Sequence, residues 1–188
     1  EVAALQKLAS DGSAPLATRV IAVFTLKQAL GATTHPFLEK LASDPSIAAW
    51  AIRALTDHEG QLDRVSPAPL LAGLKSSDPR TRIEATVALA RLGKPEHALA
   101  IVRLLGSEDP VVAHTAVKAL VRLRAVDDCL AVVDLTDVSA TQRTGALRVL
   151  QSLHEERVVD ALTTRLNKET DAARREGLIR ALCHLYYV

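Results

Sequence analysis

The side chains able to bind metal or attack a substrate are few and widely scattered in these 188 residues. Six are histidines: His35, His58, His97, His114, His154 and His184. No two stand four apart, so no helix presents the paired imidazoles of a zinc site. Two of them precede a glutamate, His58-Glu59 and His154-Glu155, which supplies ligand types without a third or fourth partner nearby. Cys183-His184 has the ending of a Cys-x-x-Cys-His haem attachment, but residue 180 is arginine. Cys129 and Cys183 lie in apolar stretches and are expected to behave as small buried hydrophobes. Two cysteines form no disulfide framework, and they leave the redox compartment undetermined. Gly-rich phosphate loops and a Gly-x-Ser-x-Gly elbow are absent from the sequence. No catalytic, cofactor-binding or metal-binding residue is therefore assigned.

The elements that would position any site are easier to find. Hydrophobic residues make up 48% of the chain and aromatics 3%. With 31 alanines and 29 leucines, the composition favours closely packed helices over a sandwich or barrel. No apolar run is long enough to span a membrane. The formal charge is +1 and evenly spread, without the basic arm of a general nucleic-acid or membrane-surface binder.

A period of about 31 residues organises the sequence. Asp44-Pro45, Asp78-Pro79 and Asp109-Pro110 recur before helical patterns, with Thr136-Asp137 and Asp171-Ala172 as diverged copies. Eleven residues after each stands a leucine: Leu55, Leu89, Leu120, Leu147 and Leu182, with Ala14-Pro15 and Leu26 as a looser first copy. Asp before Pro offers an N-cap oxygen, and Pro at the first helical position sacrifices no hydrogen bond. Ala precedes the anchor Leu in five copies, at Ala54, Ala88, Ala119, Ala146 and Ala181, and Ala51, Ala85 and Ala116 repeat it one turn earlier. Such a seam of small residues lets helices approach closely.

The opposite face of these first-type helices, with Trp50 and Arg53, Glu84 and Arg91, Lys118 and Arg122, and Arg180, is expected to be solvated. Asp78 with Arg82, and Asp171 with Arg175, stand four apart and are expected to pair along the helix start. A second-type helix follows each first one, over about 35–42, 67–75, 95–105, 127–134 and 155–167. The run Ala98 to Leu105 is apolar nearly all round and is expected to lie largely inside. Residues 57–66 form an insertion.

Asp78 to Gly93 resembles the first helix of a HEAT repeat, in the short HEAT-like form also found in phycobilisome lyases. Asp109 to Leu123 is a second good match, and 44–55 and 171–185 are fair ones. The resemblance implies an all-α fold, an α-solenoid of stacked antiparallel helix pairs in a right-handed superhelix, as a single array over residues 1–188. It is specific for fold and nearly silent on activity, because the shared residues pack and cap.

Related proteins with chemistry offer a contrast. Deoxyhypusine hydroxylase, a HEAT-like di-iron enzyme, carries His-Glu pairs at equivalent places in its repeats. Here His58 falls three residues after Leu55 and His154 seven after Leu147, so the registers disagree. A phycobilin pocket would want aromatic lining that the sequence does not offer. For a DNA-binding concave face the second-type helices carry too much acid, with Lys40, Lys75, Arg103, Arg157 and Arg165 against Glu39, Glu96, Asp127, Asp128, Asp134, Glu155, Glu156 and Asp160.

The expectation is therefore a non-enzymatic protein-protein interaction scaffold or spacer within a larger multidomain protein, needing no cofactor. Arg103, Arg165, His97 and Asp134 on the second-type row are the candidate partner contacts. The composition also resembles middle segments of large secreted bacterial proteins that join a propeller-type dehydrogenase to a c-type haem domain; in that setting the array would be a connector. The chain has no Met, starts within a helical pattern at Glu1 and ends on Leu185-Tyr186-Tyr187-Val188. It is thus expected to be a piece of a longer protein whose uncapped ends self-associate.

Overall fold

The computed structural model describes residues 1–186 and is built of helices, with no strand among the described residues. Tyr187 and Val188, the last of the apolar C-terminal residues, lie outside them. The contacts divide the chain into two compact units, Glu1–Gly93 and the residues from Lys94 onward.

In the first unit, α1 (Val2–Ser10) packs against α2 (Leu16–Leu30). A turn held by Asp11, whose Oδ1 accepts from the Ser13 amide at 2.9 Å, joins them. Gly31 (φ +56°) ends α2, and a 3-10 turn leads into α3 (His35–Leu41). Then come α4 (Ala48–Leu55), a 3-10 segment over Glu59–Arg64, α5 (Ala68–Gly73) and α6 (Pro79–Leu92). The second unit holds α7 (Ala98–Val102) between 3-10 turns, α8 (Pro110–Arg122), α9 (Val126–Asp134), α10 (Ala140–Gln151), α11 (Glu156–Lys168) and α12 (Ala172–Tyr186).

Even-numbered helices are the first-type elements and odd-numbered ones the second-type. Leu26, Leu55, Leu89 and Leu120 are wholly buried, as are Ala51, Ala54, Ala85, Ala88 and Ala116. Each buried leucine contributes about 1.5–3 kcal/mol. In α12 the register differs: Leu178 and Ala181 are buried, whereas the anchor Leu182 is only half-buried.

Capping explains where α6 and α8 start. Asp78 accepts from the Thr81 amide at 2.8 Å, and Asp109 from Val111 and Val112 at 2.8 and 3.1 Å. Elsewhere the expected signal is replaced. Ser139, not Thr136-Asp137, caps α10 by accepting from the Gln142 amide at 3.1 Å. Asp44 caps no helix, because α4 begins only at Ala48; its carboxylate holds Ser46 and Arg19 instead. Arg19 is 2% exposed and pairs with Asp44 at 2.6 Å.

Arginines one turn into the first-type helices form a repeated clamp that corrects the expected Asp–Arg pairing. Arg19 donates to Ala9 O at 2.9 Å, Arg82 to Ser76 O at 2.8 Å, Arg143 to Leu135 O at 2.6 Å and Arg175 to Leu166 O at 2.9 Å. Each supplies a donor to carbonyls at or just past the end of the preceding helix, which have no intrahelical partner. Asp78 and Asp171 meanwhile serve amides of their own helices.

Two further expectations change. The run Ala98 to Leu105 is not enclosed all round: Ile101, Val102 and Leu105 are buried, but Leu99 is 68% exposed. The polar face of the first-type helices is bridged as well as solvated in the first unit. Arg80 stacks 3.6 Å from the Trp50 ring centroid, and Arg91 reaches Thr56 O at 3.1 Å.

Candidate functional site

Within the second unit, the helices α9, α10, α11 and α12 enclose a groove of about 420 Å³. Its apolar floor comes from Val133, Leu147 and Leu178, all mostly buried. These residues face inward because helical spacing places them on the core side of α9, α10 and α12. The rim is charged. Asp134 at the end of α9 accepts two hydrogen bonds from Arg165 on α11, at 2.7 and 2.6 Å, a fork-to-carboxylate pair. Donating to the Asp134 carboxylate raises the Arg165 pKa above its usual value. Both side chains keep contact with water, at 28% and 53% exposure for Arg165 and Asp134.

A second pair lies across the groove, where Arg174 Nε meets Glu169 at 2.9 Å and the same guanidinium donates to Val133 O at 3.0 Å. Arg143 and Lys168 complete the rim. Arg143 donates through Nη2 to Leu135 O, while its Nε is buried without an acceptor. An adjoining hollow of about 310 Å³ shares Arg143, Leu147 and Arg174 with the first. The two hollows form one track.

Two of the four residues expected as partner contacts, Arg165 and Asp134, are thus brought together at this groove. Arg103 stands exposed in the 3-10 turn Arg103–Gly106, apart from them. His97 is 6% exposed, with Nε2 lacking a partner, and so faces the interior. Sequence inspection missed Arg143, Lys168 and Arg174. Arg143 and Arg174 belong to first-type helices, whose outer face the repeat pattern assigns to solvent; only packing shows that their first turns border the groove.

The residues scanned for chemistry remain dispersed. His58 precedes the 3-10 segment after α4, and His154, with φ +44°, lies in the turn after α10. Among the described residues, no three of His, Cys, Asp and Glu gather at metal-binding range. Cys129 is buried, as expected, but Cys183 is exposed on α12. No described helix is long and apolar enough to cross a membrane.

Residues 67–142, which span α5 to the start of α10, match the family of HEAT repeats. Over those residues the sequence carries HEAT-like repeats. The fold of the chain is the α-solenoid, and solved structures are similar to it along its length. An engineered protein is 21% identical, with a TM-score of 0.59 over 98% of this chain and 96% of that one. A designed armadillo repeat protein is 16% identical, with a TM-score of 0.56 over 98% of this chain and all of the other. Another, solved in complex with the peptide (KR)4, is 18% identical with a TM-score of 0.56, covering 98% and 99% of the two chains. None of the curated proteins matches the sequence significantly.

Proposed function

We propose that the chain is a non-catalytic protein-binding scaffold, serving as an interaction or spacing segment of a larger multidomain protein. The observation that carries this reading is the groove of the second unit, open to water above an apolar floor and rimmed by the Arg165–Asp134 pair. An extended segment of a partner protein fits such a surface, because main-chain and side-chain polar groups can meet the rim while an apolar side chain covers Leu147 and Leu178. A designed armadillo repeat protein of similar fold holds a peptide, which supports the same use of the array here. Arg165 and Asp134 are the leading contacts. Arg103 adds an exposed cation on the same second-type row.

Panning a displayed random-peptide library against the purified chain tests the reading. Enriched peptides should bind the unaltered chain, lose binding to an Arg165→Glu variant and recover part of it when Asp134→Arg restores the pair. Absence of enrichment, or enrichment indifferent to both substitutions, would overturn it.

A further inference from the structure

We propose that the partner segment held in this groove is acidic, with a carboxylate of the partner seated beside Arg143 and Lys168. The inference rests on the protein-binding reading and adds the chemistry of the partner. Four cations line the groove, Arg143, Arg165, Lys168 and Arg174, against two carboxylates, Asp134 and Glu169. Both carboxylates are already matched, Asp134 by Arg165 and Glu169 by Arg174. Among the described residues Arg143 and Lys168 have no carboxylate partner, so the rim carries two surplus positive charges. Arg143 is also held in place by its bond to Leu135 O, which presents its charge without further ordering cost.

The low-dielectric floor of Val133, Leu147 and Leu178 strengthens attraction to a carboxylate placed above it. It also suits an apolar side chain next to that carboxylate in the partner. The adjoining hollow, which shares Arg143 and Arg174, extends the track for an extended strand of several residues; its one carboxylate, Asp171, already accepts from the Arg174 amide at 2.8 Å, and the partner's carboxylate sits over the first hollow. A basic peptide is disfavoured by the same surplus, since like charges brought together at an interface cost affinity.

Fluorescence anisotropy with labelled peptides of about eight residues tests this. The probes are alternating Glu-Leu, Ser-Leu and Lys-Leu peptides and a single-stranded oligonucleotide of matched charge. The Glu-Leu peptide should bind at least about tenfold more tightly than the Ser-Leu peptide, with an advantage that shrinks as salt rises. Lys168→Glu, at an exposed position, should remove most of that advantage, and Arg143→Gln should reduce it. Lys94→Glu, exposed and outside the groove, should leave it unchanged. Equal or tighter binding of the Ser-Leu or Lys-Leu peptide, still sensitive to Arg165→Glu, would overturn the acidic partner while leaving the protein-binding reading standing. Binding of the oligonucleotide alone, lost in Lys168→Glu, would overturn both in favour of nucleic acid.

Discussion

Lys27 Nζ lies 2.6 Å from His35 Nε2, a buried ammonium donating to a buried imidazole, and neither is in an ion pair among the described residues. The insertion at 57–66 completes the arrangement. Gln61 Oε1 accepts from Lys27 at 2.7 Å, and His35 Nδ1 lies 3.3 Å from Arg64 O. With Nδ1–H facing that carbonyl, Nε2 is the acceptor for lysine, so this geometry requires a neutral histidine.

The pH dependence of stability follows from that requirement. Burial, foremost, pushes the His35 pKa below its usual 6.5, and the Lys27 charge adds to the effect. A depressed histidine means that the unfolded chain binds the proton more readily. Its contribution is therefore complete above pH 6.5 and is lost as pH falls from there through the folded value. Lys27 is lowered by burial too, with the same sign at a higher pH. Urea denaturation should show less stability at pH 5 than at pH 7. In Lys27→Met the His35 resonances should titrate at a higher pH by NMR. An unchanged His35 titration in that variant would show that lysine does not govern it. Asp44 and Asp78, held low chiefly by hydrogen bonds from Ser46 and Thr81, lose their contribution only below pH 3.8.

Three aspartates that look alike in sequence should respond differently to alanine. Asp78→Ala and Asp109→Ala remove caps and should each cost about 1 kcal/mol in chemical denaturation. Asp44→Ala strands the buried Arg19 guanidinium and should cost more, about 2–3 kcal/mol. Equal losses at all three positions would contradict the distinct role of Asp44.

Gly73 sets the approach of α5 to its neighbours. A Cβ there would lie 2.8 Å from Ile52 Cδ1 and 2.9 Å from Ala85 Cβ. Gly73→Ala should overpack this junction and cost about 1–3 kcal/mol, as should replacement of the buried Ala119 by a large residue. Gly12→Ala, which meets nothing within 4 Å, serves as the control. A thermal midpoint unchanged in Gly73→Ala would show that the junction relaxes freely.

The two thiols should separate cleanly in a labelling experiment. Cys129 is buried and its pKa is pushed up to about 12 by that burial. Cys183 is exposed. A maleimide or disulfide reagent at neutral pH should modify Cys183 in the folded chain and Cys129 only after denaturant is added. Prompt labelling of Cys129 would reveal local opening of α9.

Much of the fold was legible without coordinates because it is written in local chemistry. The recurrence of Leu26, Leu55, Leu89 and Leu120 marks buried seams, and Asp78-Pro79 and Asp109-Pro110 mark helix starts whose hydrogen bonds close within three residues. Asp44-Pro45 looks the same but lies beside Arg19, twenty-five residues earlier, and that distant guanidinium outweighs the cap. Cys183 was misplaced for a related reason: an apolar stretch on a helix does not say which of its sides the neighbouring helices cover.

The sequence by itself determined the helices, their period of about 31 residues and the small-residue seams. Each depends on spacing along one element or on a pattern shared by repeats. Only the tertiary structure decided that Arg82 and Arg175 clamp carbonyls rather than pairing with aspartates. It alone joined Lys27, His35 and Gln61, and placed Arg143 and Lys168 on one rim. The physical reason is range. A cap or an amphipathic face is settled within a turn or two of chain, whereas the partner of a long charged side chain is whichever group packing brings within about 3 Å.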